Sequence, residues 1–298
     1  MLLPMKPQTT NLLLLHLIVL IFGFTGILGK LITLPSEVLV WWRMIIALFG
    51  IILYMRFSGI SRKMPTRLML MLMVTGVITA AHWITFFEAI KVSTVSVTLA
   101  CLSASTLFTA LIEPFFFKRR ISIAELLMGA AIVCGLILIF SFETQYVLGI
   151  TLALFSALLA SLFQVLNGIY IRTERPSRIA FYEMIGGIVA ISLYLILSGK
   201  ADLQLFQVST ADWIWLLILG IICTAFAFVV GVKVMETVSP FTVALTINLE
   251  PVYGIILAWF IFGAEEHMTP GFYLGTIVIL GTIFLNAFLK SRKPKPTN

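Results

Sequence analysis

The chain has 298 residues, of which 60% are hydrophobic and 11% charged, and a mean hydropathy of +1.10. This excludes an ordinary water-soluble domain, in which about half of the residues are apolar and about a quarter charged. The net charge of +7 calls for no nucleic-acid partner, because lysines and arginines near the ends of membrane helices meet anionic lipid headgroups, and Cys101, Cys134 and Cys223, all in apolar runs without a C-x-x-C pair, suggest neither a disulfide framework nor a zinc site.

Apolar runs recur along the whole chain. About 20 residues in a helix rising about 1.5 Å each cover a hydrocarbon core of roughly 30 Å. The short alternating segments of a β-barrel are not seen. The first run, 11–33, follows a lysine, but its "FGFTGILGK" has no small-x-small cleavage pattern, so it reads as a retained helix. The second, 37–57, carries Arg43, and the third, 66–91, carries His82, Trp83 and Glu88. Then come 94–115, 121–141, 146–171 with Ser161, Gln164 and Asn167, 178–198 with Glu183, and 211–235. The ninth, 240–262, contains Asn248-Leu249-Glu250-Pro251 at its centre, and the tenth is 269–290.

Lysine and arginine near span ends are retained in the cytoplasm. Counting alternate sides puts sixteen of the basic residues on one side, from Lys6 to Lys295. The other side holds Lys30, Lys91 and Lys200, and Arg43 lies inside the second span. Both termini are therefore expected in the cytoplasm. The halves also resemble each other: Ala89 to Ile112 laid on Val234 to Leu257, at an offset of 145, pairs Cys101 with Thr246, Ser105 with Glu250 and Phe108 with Tyr253. Lys118 falls on Gly263. The expected fold is an all-α integral membrane protein with ten transmembrane helices in two inverted five-helix repeats, 11–141 and 146–290, with cytoplasmic tails 1–10 and 291–298. Inverted repeats of this kind give secondary transporters two-sided access to a central site.

An ionised side chain at mid-span costs about 2.5 to 3.5 kcal/mol, so each is expected to face the bundle interior. In the ninth span Thr242, Thr246, Glu250 and Tyr253 follow i, i+4, i+8 and i+11 and are expected on one face. Pro251 is expected to break the helix and free a carbonyl near Ile247. That acceptor, Asn248 and the Glu250 carboxylate then hold a cation, a proton or a donor group of a solute; the alternative is that Glu250 serves a neighbouring helix and Pro251 only bends this one. Ser161, Gln164 and Asn167, at i, i+3 and i+6, suit a zwitterion or hydroxylated metabolite, or equally interhelical hydrogen bonding. His82 could relay a proton and Trp83 could stack on cargo. Glu88 and Lys91 read as an interfacial i, i+3 pair. Arg43 needs an internal acid, Glu88 or Glu250, or else a substrate carboxylate. Glu183 is placed to line an inner vestibule, and the glycines Gly23, Gly26, Gly29, Gly275 and Gly281 to let helices approach closely.

The five-plus-five arrangement, with "FGFTGILGK", "WWRMIIAL", "AIKVSTVSVTL" and "LEPVYGIILAWFIFGAEE" in this order, resembles the drug/metabolite transporter superfamily and, within it, the EamA-like ten-helix permeases. The resemblance covers nearly the whole chain. One departure is that Thr106 stands where the second half has Pro251, while Pro114 is displaced toward the cytoplasm. The resemblance implies a multi-pass plasma-membrane protein, in a bacterium of the inner membrane, that exports small polar organic solutes such as amino acids by alternating access. "LEP" recurs among members thought to carry different cargo, which implies a general role for Glu250. Coupling to a proton and uncoupled facilitated diffusion both stand open, as do monomer and homodimer. No cofactor or metal is expected, and no nucleotide-binding loop is present for ATP-driven pumping. A membrane-embedded transferase is disfavoured, because His16, His82 and His267 lie at separated depths without metal-ligand spacing.

Overall fold

The structure, a computed structural model, describes residues 7–118, 120, 123–235, 237–238, 243, 246–247 and 249–291. All regular elements among them are helical. They run α1 Pro7–Leu31, α2 Ser36–Phe57, α3 Thr66–Val92, α4 Val95–Leu102, α5 Ser105–Phe117 and α6 Ile123–Phe142, then α7 Val147–Tyr170 and α8 Pro176–Leu197. Next come α9 Thr210–Leu217, a π-helical segment Ile218–Phe226 and α10 Ala227–Val234, which form one continuous rod. α11 Glu250–Phe262 and α12 Pro270–Ser291 complete the order. Among the described residues seven helical stretches are long and apolar enough to cross a membrane, and Leu127–Phe142 and Pro270–Leu285 are shorter apolar helices. Large apolar side chains such as Phe57, Phe115, Leu197 and Phe260 remain outward and exposed, as a surface solvated by lipid tails allows.

α3 is central and packs on both α7 and α8, α6 packs on α12, and α1 on α10 and α11. Small residues permit these approaches. A Cβ on Gly23 would meet Gly254 at 3.2 Å, one on Gly26 would meet Val95 at 3.1 Å, one on Gly29 would meet Phe87 at 2.4 Å, and one on Gly275 would meet the Gly135 carbonyl at 2.6 Å. Among the described residues a Cβ on Gly281 would meet nothing within 4 Å, so against these the packing role expected for it is corrected.

The middle of the fourth span is interrupted. Ser103 and Ala104 form a turn between α4 and α5. α5 and α11 are each 13 residues long, start at Ser105 and Glu250, and end at Lys118 with φ 51° and Gly263 with φ 57°. These positions match at the offset of 145 that the sequence alignment gives. Glycine adopts positive φ without steric cost, whereas Lys118 does so at about 1 to 2 kcal/mol. The break therefore occurs in both halves, although only one has a proline at it. Pro251 stands in the first turn of α11, where its missing N–H costs nothing. The chain turns at Leu249, whose N–H donates to Thr246 O at 3.0 Å, and a new helix starts at Glu250 with Pro251 in its first turn.

Polar contacts tie together the end of the bundle at which α1 finishes and α2 starts. Lys30 Nζ lies 3.0 Å from both Glu265 Oε2 and Glu266 Oε1. Glu266 also accepts from the backbone N–H groups of Val95 at 3.2 Å and Ser96 at 2.9 Å, at the start of α4, where a helix offers unpaired donors and a positive dipole end. Asp212 accepts from Thr33 N at 2.9 Å and Thr33 Oγ1 at 2.7 Å. Lys200 donates to Glu37 at 2.6 Å, a hydrogen bond that lifts its amine above the usual range. The expected Glu88 and Lys91 pair does not close as a direct ion pair, although the charge of Glu88 still acts on Lys91. Ser36 Oγ donates to Glu88 at 2.6 Å and Lys91 Nζ donates to the Leu34 carbonyl, because the α1–α2 connection offers each a partner at the end of α3.

Candidate functional site

Inside the bundle lies a cavity of about 900 Å³ that open space at its mouth contributes to. Its polar lining is drawn from separate stretches of the chain: Thr25 on α1, Arg43 on α2, His82 and Trp83 on α3, Ser105 at the start of α5, Gln164 and Asn167 on α7, and Glu250 at the start of α11. Phe86, Phe163 and Phe228 supply apolar wall.

Arg43 is only 2% exposed. Its Nε donates to Thr224 Oγ1 at 2.6 Å, and its guanidinium carbon lies 3.9 Å from the centre of the Trp83 ring, a cation–π contact worth about 2 kcal/mol when desolvated. Thr224 in turn donates to Leu219 O at 2.6 Å, across five residues of the π-helical segment. The wider π turn sets the hydroxyl against α2. Thr224 was not among the residues expected from sequence.

His82 Nδ1 lies 3.0 Å from the Ser156 carbonyl oxygen and 2.7 Å from its hydroxyl, and Ser156 Oγ donates back to His82 O at 3.0 Å. Ser156 thus holds the imidazole by its Nδ1 edge, which donates to the carbonyl oxygen in one tautomer and accepts from the hydroxyl in the other. Glu250, 6% exposed, makes no hydrogen bond or ion pair with a described residue and lines the cavity with Arg43.

On the ninth span the cavity is lined by Val243, Ile247 and Glu250. The stripe of Thr242, Thr246, Glu250 and Tyr253 is thereby corrected. On a continuous helix these four positions would share one face, but the turn at Leu249 and the new helix from Glu250 change the direction of Glu250 and Tyr253 relative to Thr246. Tyr253 is 36% exposed and sits against Gly23, and Thr246 is half-buried away from the cavity. Asn248 and Thr242 lie outside the described residues. On α7 Gln164 and Asn167 line the cavity, but Ser161 does not: its hydroxyl donates to Ser105 O at 2.8 Å and to Ala157 O at 2.9 Å. It thus braces the start of α5.

Asn167 also reaches away from the cavity, with Nδ2 3.5 Å from Glu183 Oε2. Glu183 is 0% exposed and does not line the cavity, so the vestibule expected for it is corrected. Glu183 Oε1 and Asn167 Oδ1 are both buried without a partner. Glu183→Gln brings an N–H of similar size to this pair. We expect the thermal unfolding midpoint in detergent to rise, by the equivalent of about 1 kcal/mol; a lower midpoint would show that the carboxylate itself holds the pair.

A membrane-embedded helical bundle with polar groups converging on an internal cavity is the architecture of a membrane transport protein. Known proteins agree. The chain belongs to the EamA-like transporter family, whose sequences match residues 9–141 and 147–288. It is similar to an uncharacterized transporter, YxxF, of Bacillus subtilis (strain 168), with 22% identity over 98% of this chain and 94% of that one. An uncharacterized transporter of Archaeoglobus fulgidus is 23% identical over 80% of this chain and 82% of its own length. A crystal structure superposes with a TM-score of 0.71 at 16% identity, over 96% of this chain and 100% of that chain, which shows a shared fold. The protein is accordingly a multi-pass membrane transporter of the plasma membrane.

Proposed function

We propose that this protein is a secondary transporter that exports small polar organic solutes, such as amino acids or related metabolites, by alternating access around the cavity at Arg43 and Glu250. The reading takes the chain as ten spans in two inverted halves, 11–141 and 146–290, with both termini cytoplasmic. The observation that carries it is that residues from both sides of the repeat boundary, Arg43 and Ser105 from one and Gln164, Asn167 and Glu250 from the other, line a single cavity. Ser105 and Glu250 start the two corresponding helices after the breaks, so a rocking of one half against the other moves both.

In this reading the end tied by Lys30, Glu266 and Asp212 is the external one. Its ion pairs and hydrogen bonds close the cavity outward, while the lining extends along Leu15 and Met235 toward the cytoplasmic side. Export rests on the resemblance to EamA-like permeases, and Glu250 is the proton-coupling candidate.

The test is counterflow in vesicles containing the purified protein, with solutes chosen by a growth-protection screen of an overexpressing strain against amino acids and their analogues. Saturable exchange of labelled for unlabelled solute is expected. Glu250→Gln should reduce it about tenfold or more, the equivalent of one charge-assisted interaction of about 1.4 kcal/mol. Uptake that never saturates would indicate a channel, and unchanged exchange by properly inserted Glu250→Gln would remove this residue from the mechanism.

A further inference from the structure

An arginine keeps its charge in a protein interior, so its burial has to be balanced by hydrogen bonds and a counter-ion. Arg43 has neither in full. Among the described residues its single hydrogen bond is from Nε to Thr224, Nη1 is buried without a partner, and no carboxylate forms an ion pair with it. Glu250 lines the same cavity and acts on Arg43 through its charge, without an ion pair between them.

The side chain is nevertheless held in a defined orientation. Trp83 covers it at 3.9 Å, the Phe87 ring centre lies 5.4 Å away, and the Thr224 hydroxyl is fixed by its own bond to Leu219 O. What stays unspent is the forked end of the guanidinium. Two parallel N–H groups in that plane match the two oxygens of a carboxylate. In the same cavity, Gln164 Oε1 and Asn167 Oδ1 are buried acceptors without a donor among the described residues.

We propose that Arg43 is the anchor for a carboxylate on the transported solute, with Trp83 and Thr224 as positioning residues and Gln164 and Asn167 receiving a donor group of the same molecule. The word "transported" rests on the function proposed above; the anchor itself does not. The solute and Glu250 then share one counter-ion, so a bound carboxylate competes with the resident acid for Arg43.

The test is equilibrium binding to the full chain in lipid nanodiscs, read by ligand-observed magnetic resonance, with butyrate, butyramide and butylammonium as probes. The three share an apolar body and differ at the head. Butyrate is expected to bind about tenfold more tightly than butyramide, and butylammonium least. Arg43→Gln should bring butyrate and butyramide to parity, while Arg43→Lys, which keeps the charge but not the fork, should retain a preference of a few-fold. Trp83→Phe should weaken butyrate more than butyramide. Equal binding of butyrate and butyramide by the wild type, or a preference that survives in Arg43→Gln, would overturn the assignment, and the wild-type comparison stands even where a variant does not accumulate. Counterflow measured beside it separates the two ideas. Exchange lost with the carboxylate preference intact overturns transport alone, whereas exchange without that preference overturns the anchor alone.

Discussion

Glu266→Ala is expected to lower the stability of the protein by about 3 to 5 kcal/mol, the cost of removing one partner from a buried charged cluster. The Glu266 side chain is 0% exposed and joins three parts of the bundle. It accepts from Lys30 at the end of α1 and from Val95 and Ser96 at the start of α4, and it sits directly after α11. Without it Lys30 retains only Glu265, whose side chain is 72% exposed, and a pair open to water contributes about 1 kcal/mol or less. Two buried N–H groups of α4 lose their acceptor, and only the Thr94 cap on Val97 at 3.1 Å remains. Lys30→Ala should cost far less, about 1 kcal/mol, because Glu266 keeps its backbone donors. Thermal unfolding in detergent measures the difference. On the proposed orientation the same change loosens the outer closure, so a cysteine introduced at the fully buried Val95 should be labelled faster from outside in the Glu266→Ala background. A loss below about 1 kcal/mol would mean that Glu266 is only one of many redundant contacts at this end.

Much of the fold was legible because span-length apolar runs and the charges between them record helix positions directly. The expected 66–91 and 178–198 differ from Thr66–Val92 and Pro176–Leu197 by two residues or fewer at either end. The repeat offset of 145 paired Ser105 with Glu250 and Lys118 with Gly263, and these pairs turn out to be the starts and ends of two helices of equal length. What the local sequence concealed was that both halves break. A proline marks the break in one half, but in the other Ser103 and Ala104 carry no comparable sign.

The candidate site was legible where a polar residue stood alone in apolar surroundings. Arg43, His82, Trp83, Gln164, Asn167 and Glu250 all line the cavity. It was not legible where side-chain direction depends on where a helix begins: the expected stripe carried one helical phase from Thr246 to Tyr253 across the break expected at Pro251, and the turn at Leu249 resets that phase. Thr224 escaped for a related reason. Its direction toward Arg43 follows from a π-helical stretch in "ILGIICTAF", and apolar periodicity carries no mark of a wider turn. Glu266 lies outside the apolar runs, where acids are usually solvated, and its burial comes from segments more than 170 residues apart closing over it.

The second large effect is expected at the contact between α3 and α8. A Cβ on Gly76 would lie 2.0 Å from the Glu183 carbonyl oxygen, and one on Gly186 would lie 2.1 Å from the Met73 carbonyl oxygen. Each helix thus presses a glycine against backbone of the other, three residues from its own contact point, and backbone atoms cannot step aside as a side-chain end can. Gly76→Ala and Gly186→Ala should each cost about 3 kcal/mol or more, the upper range for overpacking, or prevent accumulation. Gly187→Ala is the internal control. Its added Cβ would meet mainly the Met44 thioether, at 2.1 Å from Cε and 2.6 Å from the sulfur, with the Gly76 carbonyl oxygen farther off at 3.0 Å; a flexible methionine can repack and the backbone need give only a few tenths of an ångström, so the cost should stay near about 1 to 2 kcal/mol. The consequence reaches the cavity, because α3 carries His82 and Trp83 and α8 carries the partner of Asn167. Prying these helices apart moves Trp83 off Arg43. A variant that accumulates should therefore lose the butyrate preference along with stability, whereas Gly187→Ala should keep both. Equal stabilities for Gly76→Ala and Gly187→Ala would show that the two helices separate freely, and the close backbone contact would then have no part in shaping the site.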